Sequence, residues 1–124
     1  MLTKDTRDAI ADFRQSLETL QATLTSDQPE VEPVTRAFGE VQEQFKTRIT
    51  TLGDRESDDP HLQSQLQSYI TETHKQMRLL GLDLRFLQAS RQSATARDRL
   101  AQVRDRISIL IGYSTALLEN TEGE

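Results

Sequence analysis

With 124 residues, 35% of them hydrophobic and 5% aromatic, and a formal charge of −5, the chain is long enough for one domain, residues 1–124, that buries about two thirds of its unfolded surface. Scarce glycine, proline and aromatic residues favour helices with narrow apolar stripes over a sheet. The absence of cysteine excludes a disulfide framework and a thiolate metal site and fits a reducing cytoplasm, and no apolar run has the length of a signal peptide core or a membrane span.

The first predicted helix covers about residues 3–25, where Ile10, Phe13, Leu17, Leu20 and Leu24 recur at alternating steps of three and four. TSDQPEVEP is a link, and Pro33 suits the first turn of a second helix, about 33–52, with Val34, Phe38, Val41, Phe45, Ile49 and Leu52 on its inner face. Gly53 stands where a glycine C-cap belongs. After the polar GDRESDD, Asp59 and Pro60 form an N-cap and first-turn pair for a third helix, about 60–90, whose seam is Leu66, Ile70, Thr73, Met77, Leu80, Leu84 and Leu87. Such a helix is about 45 Å long at 1.5 Å per residue. A turn at RQSAT leads to a fourth helix, about 95–119, with Ser93 or Thr95 as cap, the latter in a box with Asp98, and a core of Ala96, Leu100, Val103, Ile107, Leu110, Ser114 and Leu117. A flexible tail, 120–124, follows. Short links between amphipathic helices predict an all-α, antiparallel, up-down four-helix bundle, elongated along a long hairpin of the third and fourth helices. A parallel homodimeric coiled coil is the alternative that the link lengths disfavour.

The stretch QMRLLGLDLRFLQ, residues 76–88, carries a second stripe: at 100° per residue Leu79, Leu82 and Phe86 lie roughly opposite the seam. Either the first or second helix covers that stripe, or it is a surface for a partner or a second copy, flanked by Lys75, Arg78 and Arg85. Charge is polarised as well. Residues 75–106 carry eight basic and three acidic side chains, while residues 1–74 carry seven basic and fourteen acidic ones, an arrangement suited to an acidic protein surface.

On the fourth helix, RDRLAQV followed by RDRISIL places Arg97, Arg99, Arg104 and Arg106 beside the seam. There they pair with glutamates of neighbouring helices or snorkel over the core. Alternatively Arg91, Arg97 and Arg99, crowded at the hairpin tip, grip carboxylates of another protein. Without interleaved aromatic residues, these arginines do not make a nucleic-acid track. His74 heads HKQMRLLG, a loose match to the H-x-x-K-G of histidine phosphotransfer bundles, with Arg78 at +4 and Gly81 only at +7. The Glu-x-x-His pairs of a di-iron bundle are missing, as is a phosphate-binding glycine loop. The reading is of a non-enzymatic protein with no catalytic, cofactor or metal residues and no membrane or nucleic-acid partner.

From HKQMRLLGLDLRFLQASRQSATARDRL into ISILIGY the chain resembles the heterocyst frequency control protein PatD family of cyanobacteria. Lys75, Gln76, Arg78, Leu79, Leu80, Asp83, Phe86, Gln88, Arg91, Gln92, Ala94, Thr95, Ala96, Arg99 and Leu100 stand at positions of its K-Q-x-R-L-L-x-x-D-x-x-F-x-Q-x-A-R-Q-x-A-T-A-x-x-R-L pattern. Ser90 replaces the small residue expected before the arginine, and Gly81 a larger side chain. The resemblance implies a non-catalytic cytoplasmic regulator that acts on assembly of the division protein FtsZ and, in filamentous species, on heterocyst frequency. The residues themselves offer Arg78, Leu79, Leu82, Arg85, Phe86, Arg91, Arg97 and Arg99 as the protein-partner surface. The alternative function is a homo-oligomeric structural or adaptor bundle with an unrelated partner.

Overall fold

A computed structural model describes residues 2–54 and 59–121, and among them it contains four α-helices and no strand. These are α1 Lys4–Ala22, α2 Val31–Gln44, α3 Pro60–Ala89 and α4 Ser93–Asn120. The fold class expected from the apolar spacing, an all-helical bundle, is the one observed. Parts of the predicted link (residues 55–58) and tail (residues 122–124) lie outside the described residues.

Local chemistry explains the helix starts. Thr3 Oγ1 accepts from the Thr6 N–H at 3.2 Å, and Asp59 accepts from the N–H groups of His61 and Leu62 at 3.0 and 3.3 Å with Pro60 in the first turn, so orphan donors find side-chain acceptors.

Elsewhere the ends differ from expectation. α2 begins at Val31, which leaves Pro33 still in the first turn. α4 begins at Ser93 after Gln92, whose side chain makes no capping bond, so Thr95 lies inside the helix and the Thr95–Asp98 box does not form. The expected tail is ordered at its start: Asn120 ends α4, and Thr121 is fully buried, its hydroxyl donating to the Leu117 carbonyl at 2.6 Å.

The helical run after α2 changes pitch twice. Phe45–Ile49 is a π-helical turn and Thr50–Asp54 a 3₁₀ turn. The apolar residues explain the first change. Val41, Phe45 and Ile49 are spaced by four, and in an α-helix each such step overshoots a full turn by about 40°. A wider i→i+5 turn absorbs that drift, and all three side chains remain buried. Gly53 falls within the 3₁₀ turn without a left-handed backbone conformation, so it is no C-cap. Its carbonyl accepts instead from Gln67 of α3 at 3.2 Å.

The seams meet in one contiguous core, with Ile10, Phe13, Leu17, Leu20, Val41, Ile49, Leu80, Val103, Ile107 and Leu110 fully buried. α1 packs against both α2 and α4, and α3 packs mainly on α4. Polar contacts tie the helices further. Arg7, early in α1, donates to the Leu118 carbonyl and the Thr121 hydroxyl at the end of α4, each at 3.4 Å. Arg104 of α4 donates to the carbonyls of Leu24 and Ser26, beyond the end of α1, at 2.7 and 3.0 Å. Arg7 thus places a cation at the carbonyl end of α4, where the helix dipole favours it, and Arg104 ties the link after α1 to α4.

Between α3 and α4, the Tyr69 phenol and the Ser114 hydroxyl share a buried 2.8 Å hydrogen bond. Closer to the α3–α4 turn, the Arg106 guanidinium donates through Nε to the Asp83 carboxylate and through a terminal nitrogen to Gln76 Oε1 at 3.3 Å. Both charges are largely withdrawn from water, with 8% of the Asp83 side chain and 19% of the Arg106 side chain exposed.

Two outcomes follow. Burial pushes the Tyr69 phenol up to about 12 from 10, against the smaller opposing effect of its Ser114 bond. The folded state therefore holds the phenolic proton more tightly than the unfolded chain, so stability is undiminished below pH 10 and falls by roughly 2–3 kcal/mol as the pH rises through 12. Urea unfolding at stepped alkaline pH will show a steeper loss for the natural chain than for Tyr69→Phe. Second, removing one partner of the ion pair strands a buried charge. Asp83→Ala and Arg106→Ala should each cost about 2–4 kcal/mol, the lower end reflecting residual solvent access. The double variant should cost about 1–3 kcal/mol less than the sum of the two, measured by denaturant unfolding.

Candidate protein-binding surface

The rotation of α3 about its axis decides which of the sequence-predicted residues face outward. With Leu66, Tyr69, Thr73, Met77, Leu80, Asp83 and Leu84 buried, the second stripe turns away from the core. Leu79 is half-buried, whereas Leu82 and Phe86 remain 38% and 48% exposed. Leu82 and Phe86 thus stand outside the core, which corrects for these two the reading that places the stripe inside the bundle.

The arginines divide into scaffold and surface. Arg104 and Arg106 are committed to the carbonyls beyond α1 and to Asp83, not to the glutamates expected from their positions beside the seam. Arg99 is half-buried and lays its guanidinium 4.8 Å from the centroid of the Phe86 ring, a cation–π contact that joins the hairpin tip to the outer stripe. Arg91 and Arg97 are exposed. Among the described residues none of Arg78, Arg85, Arg91 and Arg97 has an ion-pair partner.

Three of the predicted residues, Arg78, Leu82 and Arg85, come together on the wall of a groove between α3 and the π turn after α2. Its volume is about 570 Å³, and its floor is made by Phe45, Met77 and the backbone at Gly81. Opposite the arginines stands Lys46. At one side His74, itself exposed, stacks on Phe45 with ring centroids 6.0 Å apart and planes 6° from parallel. A second depression of about 250 Å³ continues the groove along Val34, Phe38 and Gln88 and shares Gln42, Gly81 and Arg85 with the first.

Phe45, Lys46, His74, Met77 and Gly81 are absent from the surface read from the sequence. Two signals pointed there: the fours-only spacing from Val41 to Ile49, and a glycine in the interior of a long helix. Gly81 costs α3 about 1 kcal/mol relative to alanine, and packing does not demand it. An added Cβ would meet Phe38 at an ordinary 3.7 Å.

What these elements define is an all-helical bundle with a basic, apolar-floored face on its third helix; among the described residues no helix is long and apolar enough to cross a membrane. Residues 6–112 match the family described as the CRR41 C-terminal domain, and the chain belongs to that family. No curated protein and no solved structure matches it significantly.

The two apolar sets of α3 should respond differently to substitution. Leu82→Ser should cost less than about 1 kcal/mol, as at a surface position, whereas Leu80→Ala should cost about 2–5 kcal/mol through loss of buried contacts and a cavity. Thermal and urea unfolding of the two variants will show the contrast.

Proposed function

We propose that the chain is a non-catalytic cytoplasmic protein-binding bundle, antiparallel and up-down in topology, that engages its partner through the outer face of α3. The antiparallel arrangement is supported by the order of cross-helix pairs. Phe13 meets Phe45 while Asp12 meets Arg48; Thr35 meets Gln88 while Gly53 meets Gln67; and Tyr69 meets Ser114 while Phe86 meets Arg99. In the longer-spaced pairs, later residues on one helix face earlier ones on the next.

The observation that carries the binding reading is the exposure of Leu82 and Phe86 beside Arg78 and Arg85, cations without an ion-pair partner among the described residues. Large exposed apolar side chains flanked by arginine mark protein interfaces. The stretch from Lys75 to Leu100 that resembles PatD contains this face and supports FtsZ as the partner, with modulation of its assembly as the activity and heterocyst frequency as the consequence in filamentous species. The exposed stripe equally favours a second reading, a homo-oligomeric adaptor in which Leu82 and Phe86 of two copies pair.

Co-sedimentation with FtsZ polymers, combined with sizing of the free protein, separates the readings. The regulator reading expects a monomer that pellets with FtsZ and whose retention falls by about tenfold or more in Arg78→Glu/Arg85→Glu, the equivalent of about 1.4 kcal/mol. Charge reversal at Arg91, Arg97 and Arg99 tests whether the tip contributes as well. A tight dimer indifferent to FtsZ supports the adaptor.

A further inference from the structure

We infer that the groove between α2 and α3 is a receptor for an amphipathic helical segment of a partner protein, bearing apolar anchors on one face and carboxylates along its flanks. This rests on the reading of α3 as the partner-facing element but not on which protein the partner is.

Charge selects the occupant. Lys46, Arg78 and Arg85 line the groove, and among the described residues no carboxylate lines either half of it, although the whole chain carries a net charge of −5. The floor, Phe45, Met77 and the bare backbone of Gly81, offers nothing for a polar side chain to bond and accepts a leucine or phenylalanine. Lys46 on one wall and Arg78 and Arg85 on the other then stand where acidic flanks would pass.

Secondary structure selects the occupant's form. Both walls are helical, with their backbone N–H and C=O groups already engaged, so an extended peptide would gain no ladder there. A helix satisfies its own backbone and presents side chains to both walls. The distance from His74 to Gln88 along α3 is about 20 Å at 1.5 Å per residue, enough for about four helical turns of guest.

The groove is also held open in advance. Beyond one end Gln67 donates to the Gly53 carbonyl at 3.2 Å, and at the other Gln88 donates to the Thr35 hydroxyl at 3.3 Å. Between these two ties the π turn keeps Phe45 in the floor and brings Lys46 to the rim. π turns recur at functional positions in helices. Gly81, which packing does not require, leaves the floor open.

The test is selection of a displayed library of helical peptides, about four turns long, with apolar residues fixed at i, i+3 and i+7 and the remaining positions random, against the full chain. Selected peptides should be enriched in Asp and Glu. Measured by fluorescence anisotropy, they should bind at least about tenfold more weakly to Gly81→Met, which fills the floor, and to Arg78→Glu/Arg85→Glu, a factor of ten being the loss of one good contact. Circular dichroism confirms that both variants fold, and Ile109→Ser, at an exposed position of α4 away from the groove, should leave binding unchanged. Selected peptides that are neutral or basic, or that bind Gly81→Met as tightly as the natural chain, would overturn the inference. So would a dimer in sizing experiments that Gly81→Met dissociates, because the occupant would then be a second copy. An acidic peptide bound in the groove together with no response to FtsZ polymers would retain this inference and remove only the choice of partner.

Discussion

The ion pair between Asp83 and Arg106 is the constraint on which the functional surface depends. A carboxylate that is nearly buried must keep its cation, because either group alone in a weakly polar interior is costly. Holding Asp83 toward α4 fixes the rotation of α3, and at 100° per residue the remaining faces are assigned with it. Leu80 and Leu84 turn into the core, Arg78 and Arg85 face the α2 side, and Leu82 and Phe86 face water. A rotation of one residue position that brought 78, 81 and 85 into the seam in place of 77, 80 and 84 would bury the arginines without partners and break the pair.

Around this contact other polar ties keep the bundle in register. The exchange of arginines between α1 and α4, Arg7 to the end of α4 and Arg104 to the link beyond α1, satisfies a carbonyl that the α4 end leaves open and two more in the link. The Tyr69–Ser114 bond places a buried polar pair within the α3–α4 interface, where an apolar seam alone would tolerate sliding. On the other side of α3 the π turn corrects the drift of the α2 stripe, and that correction shapes the groove. Packing and candidate function therefore share a cause: the spacing that buries Val41, Phe45 and Ile49 also positions Lys46.

The helices were legible because their apolar residues recur at steps of three and four, and Ile10, Phe13, Leu17, Leu20 and Leu24 are all buried as that spacing requires. Helix ends were less legible. Thr95 has the chemistry of a cap, but so does any threonine near a helix start, and Gln92 occupies the position without a capping bond. The fate of Arg104 was hidden because its acceptors are backbone carbonyls, which every residue has and no sequence distinguishes. Of the surface, Arg78, Leu82 and Arg85 were found from one helix considered alone. Phe45, Lys46 and His74 were missed because the groove exists only where two helices distant in sequence are brought together.

The central claim, that α3 is held with Leu82 and Phe86 outward and Leu80 and Leu84 inward, is open to direct measurement because the chain has no cysteine. Single cysteines introduced as Leu80→Cys, Leu82→Cys, Leu84→Cys and Phe86→Cys can be titrated with a thiol reagent in the folded protein. Positions 82 and 86 should react at rates approaching those of the unfolded chain, while positions 80 and 84 react only as the protein opens. Equal protection at all four positions would contradict this orientation, since the stripe would then be covered within the bundle or by a second copy.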